Sequence, residues 1–385
     1  MLVPKPKCCL RSFAHTGQNN TCPGLATGLR LLMLFGACYL GVAMDTPGKV
    51  PVSINCHACG ALLDLAGRTG FTHIECNHCG TLSVVPLQFG NFLLLHAIGV
   101  GSTGTVYKAI DLALNRYLAL KILFKKLSSD PGFVAAFSHE AQATAAINHP
   151  NVVQVYSFDL EDGQYYLAME LCDRGSLDDR ITKLGQLPEA EVLAIGQQIA
   201  SALHAAWRRG LLHRDVKPGN ILFNEDGVPK IVDFGLARGH DAPESQTTAA
   251  DQIWGTPYYV APEKLRGKAE DVRSDVYSLG ATLFHALAGH PPANVAPDGH
   301  TPQPASSLAT DAPSLHEHTI RIIARMLAMD PAERYGSYEE VIHDLDAAQQ
   351  ALKTPPPAPP PSPLRREQAS FWSRRKFSCR RRQTE

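Results

Sequence analysis

The 385-residue chain lacks any appreciable net charge: 36 lysines and arginines face 37 aspartates and glutamates, leaving −1. Proteins that bind nucleic acid or anionic membranes over their whole surface carry a strong basic excess, so this balance argues against that class for the chain as a whole. Long hydrophobic runs are missing too. Residues 31–43, behind Arg30, form an apolar stretch of thirteen. As a helix it would rise only about 20 Å, against a hydrocarbon core of roughly 30 Å. It has the make-up of a signal-peptide core, and Met44 offers a competing start that would leave 1–43 outside the protein. A disulfide framework is also absent. Of ten cysteines, four pair off as Cys56/Cys59 and Cys76/Cys79, four fall in the first 38 residues, and Cys172 and Cys379 stand alone. Two close-set pairs favour a metal in a reducing compartment over cross-linked, secreted architecture. No internal repeat is apparent.

What is present is enough apolar sequence for a sizeable core, at 44% of residues. Composition divides the chain into an N-terminal extension, 1–51, a small cysteine-bearing module, 52–86, a large domain, 89–352, and a proline-rich linker with basic tail, 353–385. Strand-like segments at 92–98, 106–111 and 117–123 open the large domain. Helical patterns follow: Val192, Ile195, Ile199, Leu203 and Ala206 recur on one face of 189–208. The segment 274–288 is apolar nearly all round, as a central helix should be. Strands first and helices second predict an α+β fold of two lobes, a β-rich N-lobe and a helical C-lobe, with the small module in front. The proline-rich segment 292–313 predicts an irregular surface loop.

The chemistry-bearing residues are spread over the large domain. Ile98-Gly99-Val100-Gly101-Ser102-Thr103-Gly104-Thr105-Val106 carries G-x-G-x-x-G. Alone that pattern is weak, because it also opens dinucleotide-binding folds. Here strand-like sequence follows it instead of a helix, which disfavours the dinucleotide reading. Glycines in a β-hairpin let the backbone close over a triphosphate without Cβ collisions. Lys121 ends the apolar strand Leu118-Ala119-Leu120, and nineteen residues on, Glu140 shares a helical face with Phe133, Phe137 and Thr144. A carboxylate on such a face is costly without a cation, and Lys121 is the expected partner. Next come His213-Arg214-Asp215-Val216-Lys217-Pro218-Gly219-Asn220 and, thirteen residues after Asn220, Asp233-Phe234-Gly235. So many agreeing positions leave little room for a charged surface loop.

These segments resemble the catalytic machinery of the eukaryotic-type Ser/Thr protein kinases, which also occur in bacteria; the resemblance spans 89–352. It implies ATP as phosphoryl donor, Mg²⁺ (with Mn²⁺ as an alternative) as its metal, and protein Ser/Thr hydroxyls as acceptors. It implies Asp215 in the catalytic-base position, Lys217 neutralising the moving phosphoryl, Lys121 on the α/β-phosphates held by Glu140, and Asn220 and Asp233 as metal ligands. The nucleotide would lie beneath residues 98–106, against Ala119 and the linker Met169-Glu170-Leu171-Cys172, with Met169 as gatekeeper and Glu170 and Cys172 in contact. Glu263 of Ala261-Pro262-Glu263 would pair with Arg334, Asp275 would brace the Asp215 loop, and Thr256 would touch Asp215 and Lys217. Phe234 would pack under the Glu140 helix. Two departures stand out: Thr103 replaces the usual aromatic at the loop tip, which would loosen the lid, and 292–313 replaces a substrate-lobe helix. Arg214 invites phosphate from Ser245, Thr247, Thr248 or Thr256, which implies activation by autophosphorylation, through a transient dimer.

The cysteine module has its own logic. Cys56-His57-Ala58-Cys59 and Cys76-Asn77-His78-Cys79 enclose sixteen residues, and Gly60 and Gly80 follow the two turns. That is zinc-ribbon spacing, predicting a closed, structural Zn²⁺ site on Cys56, Cys59, Cys76 and Cys79, with His57 and His78 as bystanders. A thioredoxin-like redox pair is the rival, but the βαβ setting it needs is missing. Arg68 is the lone arginine or lysine in 60–75, which disfavours nucleic acid as its partner. The tail carries eight arginines or lysines and two glutamates over 364–385, interleaved with Phe371, Trp372 and Phe377. Contact with anionic lipid or nucleic acid competes there with the favoured reading, a solvated, unfolded end. A non-catalytic scaffold with the same fold is the remaining alternative, against which Lys121, Asp215 and Asp233 all stand. The expected location is the cytoplasm, where ATP is found.

Overall fold

The computed structural model describes residues 48–234, 257–292 and 307–353. The N-terminal extension, Ser245, Thr247, Thr248, Thr256, most of 292–313 and the basic tail lie outside the described residues. Two short antiparallel hairpins come first, β1 (Ser53–Asn55) with β2 (Leu62–Asp64) and β3 (His73–Glu75) with β4 (Leu82–Val84). They are copies of one unit. Ile54, Cys56, Cys59, Gly60 and Leu62 return twenty residues later as Ile74, Cys76, Cys79, Gly80 and Leu82. This corrects the expectation of no repeat: the copies agree at the cysteines, at the glycine of the turn and at one apolar residue on each flanking strand, too few positions to stand out in the sequence. In each knuckle a glycine in the left-handed region, φ 74° at Gly60 and 73° at Gly80, closes the turn.

A six-stranded antiparallel sheet of order β5-β6-β7-β8-β10-β9 follows. Its strands are β5 (Leu87–Phe89), β6 (Phe92–Val100), β7 (Gly104–Asp111), β8 (Arg116–Leu123), β9 (Val155–Glu161) and β10 (Gln164–Met169). The three expected strands are β6, β7 and β8, each extended by one or two residues. Helices α1 (Lys125–Ser128) and α2 (Pro131–Ala145) connect β8 to β9. Asp130 caps α2 by accepting from Gly132 N–H and Phe133 N–H, and Pro131 sits where no amide is needed.

The period of two divides β8 between two apolar layers. Ala119 and Leu123 meet Phe137 and Ala141 of α2, together with Val155, Leu167 and Met169. Leu118, Leu120 and Ile122 point the other way, into a layer with Tyr107, Leu87 and Phe89, against which Val50 and Phe71 pack. The outer face of the sheet is therefore covered by the cysteine module and by β5, so the two share one core.

The C-lobe contains α3 (Leu177–Leu184), α4 (Glu189–Trp207), the hairpin β11 (Ile221–Phe223) with β12 (Pro229–Ile231), and α5 (Pro262–Leu265). It continues with α6 (Val272–Ala288), α7 (Leu308–Asp311), α8 (Glu317–Met326) and α9 (Tyr338–Lys353). The expected central helix is α6, buried on nearly every side between α4 and α8. A Cβ on Gly280 would stand 2.6 Å from Cβ of Met326, so glycine there sets how closely α8 approaches. Short α7 is a departure from the expected irregular loop.

Candidate active site

Four segments meet between the lobes. The β11–β12 hairpin joins two of them: Ile221 pairs with Ile231, and Val232 N–H donates to Asn220 C=O at 3.0 Å. Asn220, just before the hairpin, thus stands beside Asp233, just after it. The segment bearing Asp215 is fixed from below by the buried carboxylate of Asp275 on α6. It accepts from the backbone N–H of His213 at 2.8 Å and of Arg214 at 2.7 Å, and from the Tyr338 hydroxyl at 3.0 Å. Arg214 (φ 65°) and Asp233 (φ 57°) both lie in the left-handed region, a costly conformation for residues with a Cβ unless their surroundings impose it.

Side chains tie the segments into two adjoining groups. Lys121 Nζ, from β8, lies 2.7 Å from Asp233 Oδ1. Asn220 Nδ2 donates to the backbone oxygen of Asp215 at 2.8 Å and to its Oδ2 at 3.0 Å. Lys217 Nζ reaches the same Oδ2 at 2.7 Å. The Asp215 side chain remains 54% exposed, open to a large partner. Desolvation works against the charge of Asp233, but the Lys121 ammonium overcomes it and holds the carboxyl below the usual range. Buried His213 accepts from Asp215 N–H through Nδ1 (3.2 Å) and donates from Nε2 to Val232 C=O (3.0 Å). Desolvation lowers its pKa, so the ring is a neutral spacer. Phe234 packs against it, with ring centroids 4.8 Å apart and planes tilted at 53°.

Lys121 and Glu140 are not paired here, contrary to expectation. Lys121 takes Asp233, while Glu140 stays half-buried on α2 with no ion pair to a described residue. Burial pushes its carboxyl up to about 7, against the pull of the Arg214 guanidinium. Lys121 shares its face of β8 with Ala119 and Leu123, which pack on α2, yet its ammonium goes to Asp233 just beyond β12. Between them, Ala141, Thr144, Val153, Val155, Leu167, Met169, Asp233 and Phe234 line a small internal pocket.

At the linker, Ala119, Met169 and Cys172 are buried, and burial pushes the Cys172 thiol up to about 12. The Glu170 carboxylate faces away from any ligand role. It binds Lys230 at 2.8 Å and Gln154 N–H at 3.2 Å, while Glu170 N–H donates to Gln154 C=O at 2.8 Å. Lys230, three residues before Asp233, escaped sequence reading because a lysine in a short strand looks solvated. Lys264 was missed likewise; its ammonium caps Arg214 C=O at 2.8 Å. In the glycine-rich hairpin, Ile98, Gly99, Val100, Gly101 and Ser102 are exposed, and Val106 is half-buried. Thr103, Gly104 and Thr105 are buried, and Thr103 C=O accepts from Phe124 N–H at 3.1 Å. The loop tip is therefore tied down at Thr103. Glu263 receives both guanidinium arms of Arg334 at 2.8 Å and the Ser274 hydroxyl at 2.7 Å.

In the cysteine module, Sγ of Cys56 lies 3.7 Å from that of Cys79, and Cys59 Sγ lies 3.7 Å from Cys76 Sγ. All four sulfurs fall within 4.8 Å of one another. Backbone N–H groups of Cys59 and Ala58 lower the Cys56 thiol, and the Thr81 hydroxyl and N–H bring Cys79 down to about 6. His57 turns to Ser83 instead, at 3.4 Å. Among the described residues no helix is long and apolar enough to cross a membrane.

With this geometry in hand, the comparisons are unambiguous. A profile of the protein kinase domain matches residues 92–354. The chain belongs to the protein kinase family. Within it, the relatives are bacterial Ser/Thr kinases of eukaryotic type. Serine/threonine-protein kinase PknL of Mycobacterium tuberculosis is 35% identical over 295 residues, covering 74% of this chain and 72% of that one. Serine/threonine-protein kinase PrkC of Bacillus subtilis is 34% identical over 268 residues, covering 67% of this chain and 40% of that one. The crystal structure of the Mycobacterium tuberculosis PknI kinase domain aligns at a TM-score of 0.55 and 30% identity, covering 68% of this chain and 98% of that one.

The raised Glu140 pKa gives a stability prediction. Its carboxyl is harder to ionise in the folded chain than in the unfolded one, whose value is near 4.5. Stability is therefore lost as pH climbs from that value through about 7. Glu140→Gln, uncharged throughout, should escape this loss and gain about 1–2 kcal/mol on the wild type between pH 5 and pH 8, allowing for half exposure. Urea unfolding at the two pH values measures it; parallel profiles would refute the buried-carboxyl account.

Proposed function

We propose that the cluster around Asp215 and Asp233 transfers the γ-phosphate of ATP to serine and threonine hydroxyls of proteins, in the cytoplasm. The observation that carries this reading is the pair Lys121–Asp233 standing beside the group Asn220–Asp215–Lys217, the two joined through the β11–β12 hairpin. The donor chemistry suits Mg²⁺. Asn220 commits its amide N–H groups to Asp215, leaving Oδ1 as a hard oxygen, and Oδ2 of Asp233 takes no hydrogen bond from a described residue. Asn220 and Asp233 would hold the metal, while Lys121, Ala119, residues 98–106, the Glu170 carbonyl and the Cys172 backbone would hold the nucleotide. Bound Mg²⁺·ATP supplies the phosphoryl group and the cation that offsets its oxygens. Asp215, exposed and fixed by Asn220, orients the acceptor hydroxyl and takes its proton. Lys217 sets positive charge beside the position where transferring oxygens gather. Glu140 becomes the partner of Lys121 when phosphate draws the lysine off Asp233.

The four-cysteine centre is read as a structural Zn²⁺ site. Sulfurs about 2.3 Å from a tetrahedral zinc stand roughly 3.8 Å apart, close to the two spacings found, and four sulfurs leave no open position. Activation is read as phosphorylation of Ser245, Thr247 or Thr248 by a transiently paired second copy, placing phosphate near Arg214.

Two assays test the kinase reading. With Mg²⁺·ATP and a generic protein acceptor, Asp215→Ala should cut transfer by about 10²–10⁴-fold with ATP binding little changed; undiminished transfer would remove Asp215 from the reaction. Replacing Ser245, Thr247 and Thr248 together by alanine should leave the purified enzyme several-fold slower, on the order of what a lost charge-assisted contact costs. Activity equal to wild type would end the switch.

A further inference from the structure

We propose that the cysteine module positions the nucleotide loop through one aromatic contact, Phe71 on Tyr107, so that the state of the four-cysteine centre sets the affinity for ATP. The inference rests on the kinase and zinc readings above. Phe71 lies in the segment between the knuckles, anchored at its two ends by Cys59 and Cys76. Its ring stacks on Tyr107 with centroids 5.7 Å apart and planes at 17°. The backbone there has φ 63°, the left-handed region that bulky residues avoid and keep only where the surroundings impose it. Those surroundings are visible. Phe71 N–H donates to Val85 C=O at 2.7 Å, and a Cβ on Gly70 would stand 2.3 Å from Cδ2 of Leu87. The loop is thus pressed onto β5 and the outer face of the sheet.

Tyr107 is the next residue along β7 from Val106, which pairs with Lys121 of β8. Alternation sends Val106 toward the nucleotide side and Tyr107 to the opposite face, where it is 6% exposed. The β6–β7 ladder that carries the glycine-rich turn is irregular, with register shifts at Leu94/His96 and Ala97/Gly99. A ladder interrupted so close to its turn leans on whatever covers its outer face, and Phe71 is part of that cover.

Measured on the full chain, Phe71→Ala should raise the KM for ATP about three- to tenfold, the scale of one aromatic pair. It should leave kcat within about twofold and speed amide hydrogen exchange over residues 99–106. Phe71→Tyr should restore both, and zinc content by elemental analysis should be unchanged in both variants. Stripping zinc from the wild type should reproduce the shift in KM and exchange while adding nothing to Phe71→Ala. Wild-type KM and exchange in Phe71→Ala would overturn the proposal, as would zinc removal that shifts the variant as much as the wild type. If the wild type transfers no phosphate, the kinase reading fails, and exchange at 99–106 still judges the contact. If it holds no zinc, the metal reading fails and with it the claimed link between metal state and ATP affinity.

Discussion

The carboxylate of Asp275 is the fixed point of the active site. Buried near the start of α6, it gathers the amides of His213 and Arg214 and the hydroxyl of Tyr338. Three donors on one buried anion offset its desolvation, and they fix the backbone on which Asp215 rides. The left-handed Arg214 is sustained by that same hold and by Lys264 on its carbonyl. From Asp215 the order passes through Asn220 to the β11–β12 hairpin and through Asp233 to Lys121 of the other lobe. The Glu263–Arg334 pair secures the same end of α6 from outside, through Ser274.

Between the lobes the charges have a second available arrangement. Lys121 is satisfied by Asp233, and Glu140 is kept near neutrality by burial. A ligand that takes over the Asp233 carboxylate frees the lysine for Glu140, and a lysine nearby favours the ionised carboxyl. In the proposed reaction, phosphate and metal binding would thereby favour the ionisation of Glu140, and the ionised carboxyl would in turn favour that binding.

Much of this was legible in the chain itself, and the reason is local. Strands β6, β7 and β8 and helix α4 follow from patterns written in consecutive residues, and α6 from an apolar run that is buried nearly all round. The segments around Asp215 and Asp233 are short runs whose residue types answer to chemistry, so they stand out without a fold. What escaped depends on distant partners. Nothing near Glu170 or Lys230 marks them as a pair, because sixty residues separate them. Nor does anything near Lys121 mark Asp233, 112 residues away, as its partner in place of Glu140. The cysteine pairs announced a metal site, but the cover their module lends the N-lobe comes from Phe71, one apolar residue with no period to mark it.

The central claim is that buried structure beneath Asp215, more than nucleotide affinity, sets the rate of the chemical step. Asp275→Asn tests it most directly, because the amide keeps the shape and removes the charge that receives two backbone N–H groups. In protein shown to be folded by circular dichroism, single-turnover phosphoryl transfer should fall about 10²-fold while the Kd for ATP stays within about threefold. A transfer rate within a few-fold of wild type, or a loss confined to ATP binding, would contradict the account.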